Sequence, residues 1–366
     1  MRIALTIESL SPQLTGIGRY TWELVRYFQS CDDLNIRYFR NGRWIRSPQR
    51  FITPGRQPLS LQPRWLRIAR NHLAARNHLF HGPNYFLPKF ARSGVITVHD
   101  LSVLRFPDTH PIERVRQFER DFSSSLARSA HVITDCETVR GELIAITGIA
   151  SDKVTAIPLG VGPEYTPLTS DTAKATLDMW GLRYGRYGLS VSTLEPRKKI
   201  AALLTAWRDL PPILRDSTPL VLAGGSGWHS TEIETLIEQG RREGWCHYLG
   251  FVPQDHLPAL YAGAQLFIYP STYEGFGLPP IEAMASGIPV IVSAHSCLPE
   301  VTAGAAMLIE PDDHELFVSA LERGLTDERW RATARSTGLE VAARYRWDHC
   351  AQRTLAVYGA VIEAFG

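Results

Sequence analysis

Short apolar runs rich in β-branched residues alternate with stretches of helical spacing, and the alternation passes along the chain twice. Ile3-Ala-Leu-Thr-Ile7, Arg37 to Phe39, Leu79-Phe-His81, Val95-Ile-Thr-Val98, Val132-Ile-Thr134 and Val154 to Ile157 form the first series. Leu189 to Thr193, Leu220 to Ala223, Cys246 to Leu249, Leu266 to Tyr269, Pro289 to Val292 and Met307 to Ile309 form the second. Such runs, bounded by turn residues, read as strands. The segments between them have the period of helices, among them the one carrying Trp22, Val25 and Phe28, and Ala201 to Leu210, Glu232 to Glu243 and Leu257 to Ala262. Strand after helix after strand implies a mostly parallel sheet covered on both faces. Pro158-Leu-Gly-Val-Gly-Pro163 and Pro167 interrupt the rhythm once, and Asp313 to Gly366 is helical in spacing almost throughout. The pattern predicts an α/β protein of two doubly wound, Rossmann-like domains, 1–165 and 166–345, with carboxy-terminal helices and a cleft between the domains.

A chain of 366 residues suits two domains of roughly 100–200 residues each, and its 44% hydrophobic and 21% charged content excludes a disordered or fibrous chain. The formal net charge of +2 conceals an asymmetry: residues 1–165 hold 22 Lys and Arg against 14 Asp and Glu, the remainder 17 against 23. No carboxylate falls between Asp33 and Asp100, where twelve basic residues run from Arg37 to Arg92. Something anionic is expected to approach this half. With Trp44, Phe51, Trp65, Leu66 and Ile68 among those arginines, an anionic membrane surface is one such partner. A basic stripe would also suit nucleic acid, but no recognition motif accompanies it, so no nucleic-acid partner is expected. Five scattered cysteines without a Cys-x-x-Cys pair read as reduced and mostly buried thiols. Glu8 follows Met1 too closely for a signal peptide, and no run approaches the ~18 apolar residues of a membrane span. A cytoplasmic location, peripheral on the inner face of the cytoplasmic membrane, is expected.

In open α/β sheets ligands sit beyond the carboxyl ends of strands, so chemistry is sought in the loops there. Pro270-Ser-Thr-Tyr-Glu274-Gly-Phe-Gly277-Leu-Pro-Pro-Ile-Glu282 follows an apolar strand, turns at Gly275-Phe276-Gly277, and enters a helix that Pro279 and Pro280 are suited to start. Backbone N–H groups at such a turn, with the helix dipole, suit a phosphate or developing negative charge. Glu274 and Glu282 can face one crevice and accept hydrogen bonds from the hydroxyls of a sugar and a ribose. Arg197-Lys198, after Leu189-Ser-Val-Ser-Thr-Leu-Glu195-Pro, places two adjacent cations where they can neutralise a departing diphosphate.

This pair of segments resembles the retaining glycosyltransferases called family 4, which have the GT-B fold. Two glutamates with seven residues between them flank a Gly-Phe-Gly-Leu turn in that family, as Glu274 and Glu282 do here. The resemblance covers most of the chain. It implies that Glu274 contacts the transferred sugar, that Glu282 holds the ribose, and that Gly275, Phe276, Gly277 and Leu278 line the donor. It also implies that the last helix, 346–366, crosses back to the amino-terminal domain. Thr15-Gly16-Ile17-Gly18-Arg19-Tyr20 resembles the family's glycine-rich first loop, with Gly16 and Gly18 toward the diphosphate and acceptor. Taken alone this Gly-x-Gly is a mere turn, and with Thr21 at the third glycine position of a dinucleotide motif it does not read as an NAD site. His99, at the end of the Val95 run, matches a histidine near the reaction centre. Asn84, Tyr85, Asp100 and Asp135 follow strands of the same half and are expected on the acceptor side. Ser192-Thr193 stands where the commonest form of the phosphate motif has Gly-Arg, so Arg197 is the guanidinium available to replace it.

Taken together, the resemblance implies a retaining hexosyltransferase with His99, Arg197, Lys198 and Glu274 as catalytic groups. Similarity to bacterial mannosyltransferases of surface polysaccharide assembly, lipopolysaccharide among them, implies GDP-mannose as donor and a glycan or lipid-linked glycan as acceptor. Two other readings use the same cleft: a sugar-nucleotide epimerase, and a non-catalytic nucleotide-sugar binding module. No His-Glu-x-x-His, Cys/His cluster or Asp-x-Asp dyad is present, so no metal and no cofactor besides the nucleotide-sugar substrate is expected.

Overall fold

The computed structural model describes residues 1–53, 71, 73, 78–225, 227 and 231–365. The chain groups into two compact units. The first comprises Met1–Arg105, Pro111–Gly160 and Trp347–Gly366; the second comprises Phe106–His110 and Val161–Arg346. The short stretch Phe106–His110, which lies in the first half of the sequence, thus belongs with the second unit.

The first unit is built on a sheet with the order β3-β2-β1-β4-β5-β6-β7 among the described residues. Its strands are β1 (Arg2–Thr6), β2 (Asn35–Arg40), β3 (Arg43–Ile45), β4 (Leu79–Gly82), β5 (Gly94–Val98), β6 (Ser129–Thr134) and β7 (Val154–Ala156). All are parallel except β3, a short antiparallel edge strand that pairs Trp44 with Phe39. Sequence alternation did not signal β3, because three residues with an Asn41-Gly42 turn before them are too short to show a period; Asn41 and Gly42 both take positive φ, the hairpin-turn conformation. Every residue of β5 is buried, as expected of a central strand covered on both faces. The Gly16–Gln29 helix buries Tyr20, Thr21, Leu24, Val25 and Phe28. Trp22, which the spacing placed with Val25 and Phe28, is only half-buried, since its position lies off the i, i+4 stripe of 20, 24 and 28. The carboxy-terminal helix Trp347–Phe365 packs in this unit: Tyr358 lies 6.0 Å from the Phe28 ring and its hydroxyl is 2.5 Å from His81 Nδ1.

The second unit repeats the plan with the strand order β10-β9-β8-β11-β12-β13, all parallel. The strands are β8 (Gly188–Val191), β9 (Leu220–Ala223), β10 (Cys246–Gly250), β11 (Leu266–Tyr269), β12 (Val290–Ser293) and β13 (Met307–Ile309). One face of the sheet packs Leu222, Ile268 and Ile291 against Leu203, Leu204, Trp207, Trp245 and Phe317 in a common core cluster. The helical tail of the sequence divides into His314–Thr326, Glu328–Ala342 and the Trp347–Phe365 helix of the first unit. Asp313 and Asp327 cap the first two, their carboxylates accepting from Leu316 N at 3.1 Å and Trp330 N at 2.9 Å. In each sheet the chain reverses its direction of winding once, between β1 and β4 and between β8 and β11. Loops leaving the carboxyl ends of those strand pairs diverge and leave a crevice.

Candidate active site

At the reversal in the second unit, the chain leaves β8 through Ser192–Glu195 and a single 3-10 turn, Pro196–Lys198, and Lys199 takes φ +53 to start the Ile200–Arg208 helix. That turn aims Arg197 and Lys198 at the loop following the neighbouring strand β11. Thr272 N and its hydroxyl donate to the Arg197 carbonyl at 3.0 and 3.1 Å, fixing the two loops together. Lys198 Nζ donates to Glu274 Oε1 and, at 3.0 Å, to the Tyr269 hydroxyl. Arg197 donates to Glu195 Oε1 at 2.7 Å and to the Tyr273 carbonyl, and its Nη1 lies 3.8 Å from Glu274 Oε2. Lys198, Glu195 and Glu274 are all buried, so each charge needs its partner: two cations and two carboxylates form an internally neutral cluster. Burial pushes the Glu274 carboxyl up, but the Lys198 ammonium and the Arg197 guanidinium outweigh it and hold the group below its ordinary value. Glu274 is therefore an anionic hydrogen-bond acceptor at neutral pH.

The rest of the β11 loop is held as firmly. Ser296 Oγ donates to the Glu274 carbonyl at 2.7 Å and accepts from Glu274 N at 3.2 Å, while Cys297 Sγ donates to the same carbonyl at 3.2 Å. Gly275, Phe276 and Gly277 are buried, with the Phe276 ring edge-on to Tyr345 at 5.3 Å. Gly277 sits at φ +88, and a Cβ there would lie 2.8 Å from the Leu298 side chain, so any other residue would be strained. The Leu278–Ala285 helix follows, with Leu278 half-buried. Pro279 and Pro280 in its first turn carry no N–H, so neither adds a donor to this turn beyond those of Phe276, Gly277 and Leu278 ahead of them. Glu282 stands one turn into the helix, half-buried, and accepts from the buried Tyr261 hydroxyl at 2.9 Å.

In the first unit, Gly16 and Gly18 open the helix that follows β1, and a Cβ on Gly18 would lie 3.0 Å from the Ser9 carbonyl. Arg19 is spent on an ion pair with Glu23 at 2.8 Å, and the Tyr20 hydroxyl is 2.9 Å from Thr97 Oγ1. His99, beyond β5, has Nδ1 2.8 Å from Asp135 Oδ2 and Nε2 2.8 Å from the Pro83 carbonyl. The Pro83 oxygen can only accept, so Nε2 carries hydrogen, and a further proton is shared between Nδ1 and Asp135. Burial opposes the charged imidazolium, but Asp135 and the Pro83 carbonyl outweigh it and raise the His99 pKa; burial also raises Asp135, against the pull of His99. Both ring nitrogens are thus engaged within the protein, and Asp135 is the partner of His99. Asp100 accepts from Ser102 N at 2.8 Å and from its hydroxyl at 2.6 Å, ending β5 and starting the Ser102–Arg105 turn of helix.

Between the ends of β1 and β4 lies a cavity of about 830 Å³, within the ~300–1,000 Å³ of small-ligand sites. Thr15, Ile17, Asn84, Tyr85, Glu8, Lys89, Arg114 and Gln117 are among its lining. Tyr85 stands at φ +63, a strained conformation for an aromatic residue, and its hydroxyl accepts from Asp100 N at 3.3 Å. Gly82 makes that bend feasible: a Cβ there would fall 2.1 Å from the Phe86 carbonyl. Glu8, Arg114 and Gln117 were not expected here. Their only sequence signal is position, one after a strand and two on one face of the Ile112–Ala127 helix.

Comparison with known proteins agrees with this geometry. The chain is 35% identical over 378 aligned positions to the O-antigen chain mannosyltransferase B of Escherichia coli, covering 98% of this chain and 99% of that one. It belongs to the group 1 glycosyl transferases. The family model described as Glycosyl transferases group 1 matches residues 185–340, which contain Arg197, Lys198, Glu274 and Glu282. Among solved structures, the sucrose-phosphate synthase from Thermosynechococcus elongatus superposes with a TM-score of 0.75 at 22% identity over 100% of both chains. Alr3699/HepE from Anabaena, in complex with UDP-glucose, superposes with a TM-score of 0.74 at 18% identity over 98% of this chain and 100% of that one. The fold is that of the GT-B glycosyltransferases.

As a group 1 glycosyl transferase the chain is a transferase enzyme. The structure brings Arg197, Lys198 and Glu274 into one cluster, and sets Glu282 in the helix that Glu274's loop enters. Tyr269 and Tyr261 complete these contacts, and neither was singled out from sequence. Tyr269 merely ends an apolar strand and Tyr261 reads as a core residue of a short helix. Phe51 is buried beneath Arg40 and Arg50 and belongs to the core, while Trp44 is half-buried and packs on Phe39 and Phe80 at the core's edge. Trp65, Leu66 and Ile68 lie outside the described residues. Among the described residues, no group of three or more His, Cys, Asp or Glu could hold a metal ion, and no helix is long and apolar enough to cross a membrane. All five cysteines are free, and four are buried.

Proposed function

We propose that this glycosyltransferase transfers mannose from GDP-mannose to a growing glycan or lipid-linked glycan of the bacterial surface, with retention at the anomeric carbon. The observation that carries the reading is the buried Arg197–Lys198–Glu274 cluster at the winding reversal of the second unit's sheet. The choice of mannose rests on the name of the E. coli relative, an O-antigen chain mannosyltransferase. A diphosphate entering the crevice becomes the counter-anion of Lys198 and Arg197. Glu274 is then released to accept hydrogen bonds from the sugar's hydroxyls. Glu282 accepts from the ribose, and the turn around Phe276 and Gly277 lies against the sugar or phosphate.

Cleavage of the bond between the anomeric carbon and the phosphate oxygen leaves negative charge on the phosphate, which the two cations stabilise more strongly than they do the intact donor. The acceptor hydroxyl attacks the same face, and its proton passes to the departing phosphate oxygen. Glu274 carries no covalent intermediate in this scheme. A glycosyl-enzyme ester trapped on any residue would replace front-face attack by a double displacement. The acceptor's terminal sugars enter the cavity of the first unit, where Asn84 and Tyr85 lie. His99, held by Asp135, serves as a fixed positive group. No metal takes part. Exposed Arg37, Arg46, Arg50 and Arg92 supply a basic surface for peripheral attachment to anionic lipid; a lack of salt-dependent co-sedimentation with anionic liposomes would remove that part.

The test is a thermal-shift panel of GDP, UDP, TDP, ADP and NAD, with Glu282→Ala as control, followed by transfer from labelled GDP-mannose. At about a hundred times its dissociation constant a ligand stabilises the native state by roughly 2.7 kcal/mol. A shift with GDP that Glu282→Ala abolishes supports the reading. A shift with another nucleoside diphosphate changes the donor, and a shift with none overturns the site. Release of free or epimerised sugar without an acceptor would favour an epimerase.

A further inference from the structure

Tyr261 has no part in the chemistry proposed above, yet it makes a specific contact to the donor side. It lies on the Leu257–Gly263 helix, wholly buried, with its ring edge-on to Tyr165 at 5.6 Å and tilted against Phe267 at 5.4 Å. These rings pack the Tyr261 side chain in the orientation it takes. The Tyr165 ring is tied in turn by Gln254, whose amide donates to its hydroxyl at 2.7 Å. In that orientation the Tyr261 hydroxyl donates to Glu282 Oε2 at 2.9 Å. Glu282 is half-buried, on a different helix, and a glutamate carries three side-chain torsions whose ordering has an entropic cost.

We infer that Tyr261 is a positioning residue for nucleotide recognition: its hydroxyl holds Oε2 of Glu282, fixing the carboxylate's plane so that the group meets the vicinal hydroxyls of the donor's ribose in one preset geometry. The inference rests on the reading of Glu282 as the ribose acceptor. Burial and the nearby Glu282 carboxylate raise the Tyr261 phenol well above its ordinary pKa, so it is a donor at neutral pH. A buried phenol donating to a carboxylate costs little to order once its ring is packed, and a preset acceptor spares the nucleotide the cost of ordering it.

The experiment measures binding of GDP, UDP and ADP and of their 2′,3′-dideoxy counterparts to wild type, Tyr261→Phe and Glu282→Gln by calorimetry. For the nucleotide that wild type binds, Tyr261→Phe should weaken the ribose form about tenfold, the scale of one charge-assisted hydrogen bond. It should leave the dideoxy form unchanged, so that the preference for ribose collapses. Because the dideoxy form needs the same fold, its unaltered affinity separates lost positioning from a damaged protein. Glu282→Gln, which keeps the Tyr261 hydroxyl bonded to an amide oxygen, should also abolish the preference. If Glu282→Gln abolishes it and Tyr261→Phe does not, the positioning role is overturned while the ribose reading stands. If neither variant alters the preference, or wild type binds no ribonucleotide, the ribose reading falls and takes the inference with it. Equal weakening of both sugar forms by Tyr261→Phe refutes positioning in favour of a packing role.

Discussion

Replacing Lys198 by Met isolates what the buried charge cluster contributes. The substitution keeps most of the side chain's length and removes the ammonium, leaving Glu274 with Arg197 Nη1, 3.8 Å from Oε2, as its cation. Deleting one member of a buried ion pair strands the other charge and costs about 3–5 kcal/mol. With both side chains close to nine-tenths buried, solvent offers little relief. For a unit of this size each kcal/mol lowers the melting temperature by roughly 2–4 °C, so the second unit should melt about 6–20 °C earlier. Glu274→Gln alone should destabilise for the complementary reason, leaving the ammonium buried without its carboxylate. The double variant Lys198→Met/Glu274→Gln removes both charges together while Arg197 and Glu195 still pair at 2.7 Å. It should recover most of the lost stability, with a coupling of at least about 2 kcal/mol, yet remain unable to transfer sugar. Thermal and urea unfolding of the four proteins, with the transitions of the two units resolved, measures the cycle. Additivity within about 0.5 kcal/mol would refute the argument, because it would mean that the two charges do not depend on each other.

Two histidines of the first unit predict opposite pH responses. The folded His99–Asp135 pair holds a proton more tightly than the unfolded chain, so its stabilisation is full below about pH 6.5 and declines as pH rises through the raised His99 value; the alkaline limb should flatten in Asp135→Asn, and an equal slope in both proteins would contradict it. His81, wedged between Tyr358 and Thr97, is lowered by burial to about 3. Its unfolded form takes a proton first, so stability should fall by about 1.4 kcal/mol per pH unit as pH drops below ~6.5, a limb that His81→Gln should remove in acid titrations followed by circular dichroism. Gly277→Ala should cost at least ~1–2 kcal/mol from its φ of +88 alone, with added loss from the 2.8 Å approach to Leu298; a variant with wild-type melting temperature and transfer rate would show that the turn is not strained.

Local pattern was enough for the strands and helices that carry the site, because each strand is a short apolar or β-branched run and each helix has an apolar stripe that must be buried somewhere. It was also enough for the donor loop, since glycine and proline act on their own backbone: Gly277 must sit where φ is positive, and Pro279 and Pro280 must sit in a helix's first turn. Arg197, Lys198 and Glu274 could be named from their residue types and from family resemblance. Their mutual pairing could not, because 76 residues separate Lys198 from Glu274 and only the pairing of β8 with β11 brings the two loops together. The same holds for His99 and Asp135, joined across β5 and β6, for His81 and Tyr358, 277 residues apart, and for the hydroxyl that Tyr261 lends to Glu282. Charge spacing suggested a surface role for Trp44 and Phe51; packing moved Phe51 into the core and left Trp44 half-buried at its edge. What the sequence determined alone was the local conformation of each segment and the chemical groups it bears. Which groups share a proton, cancel a buried charge or hold one another still was decided by strand order, since Coulomb forces and hydrogen bonds act over ångströms in space and carry no record of distance along the chain.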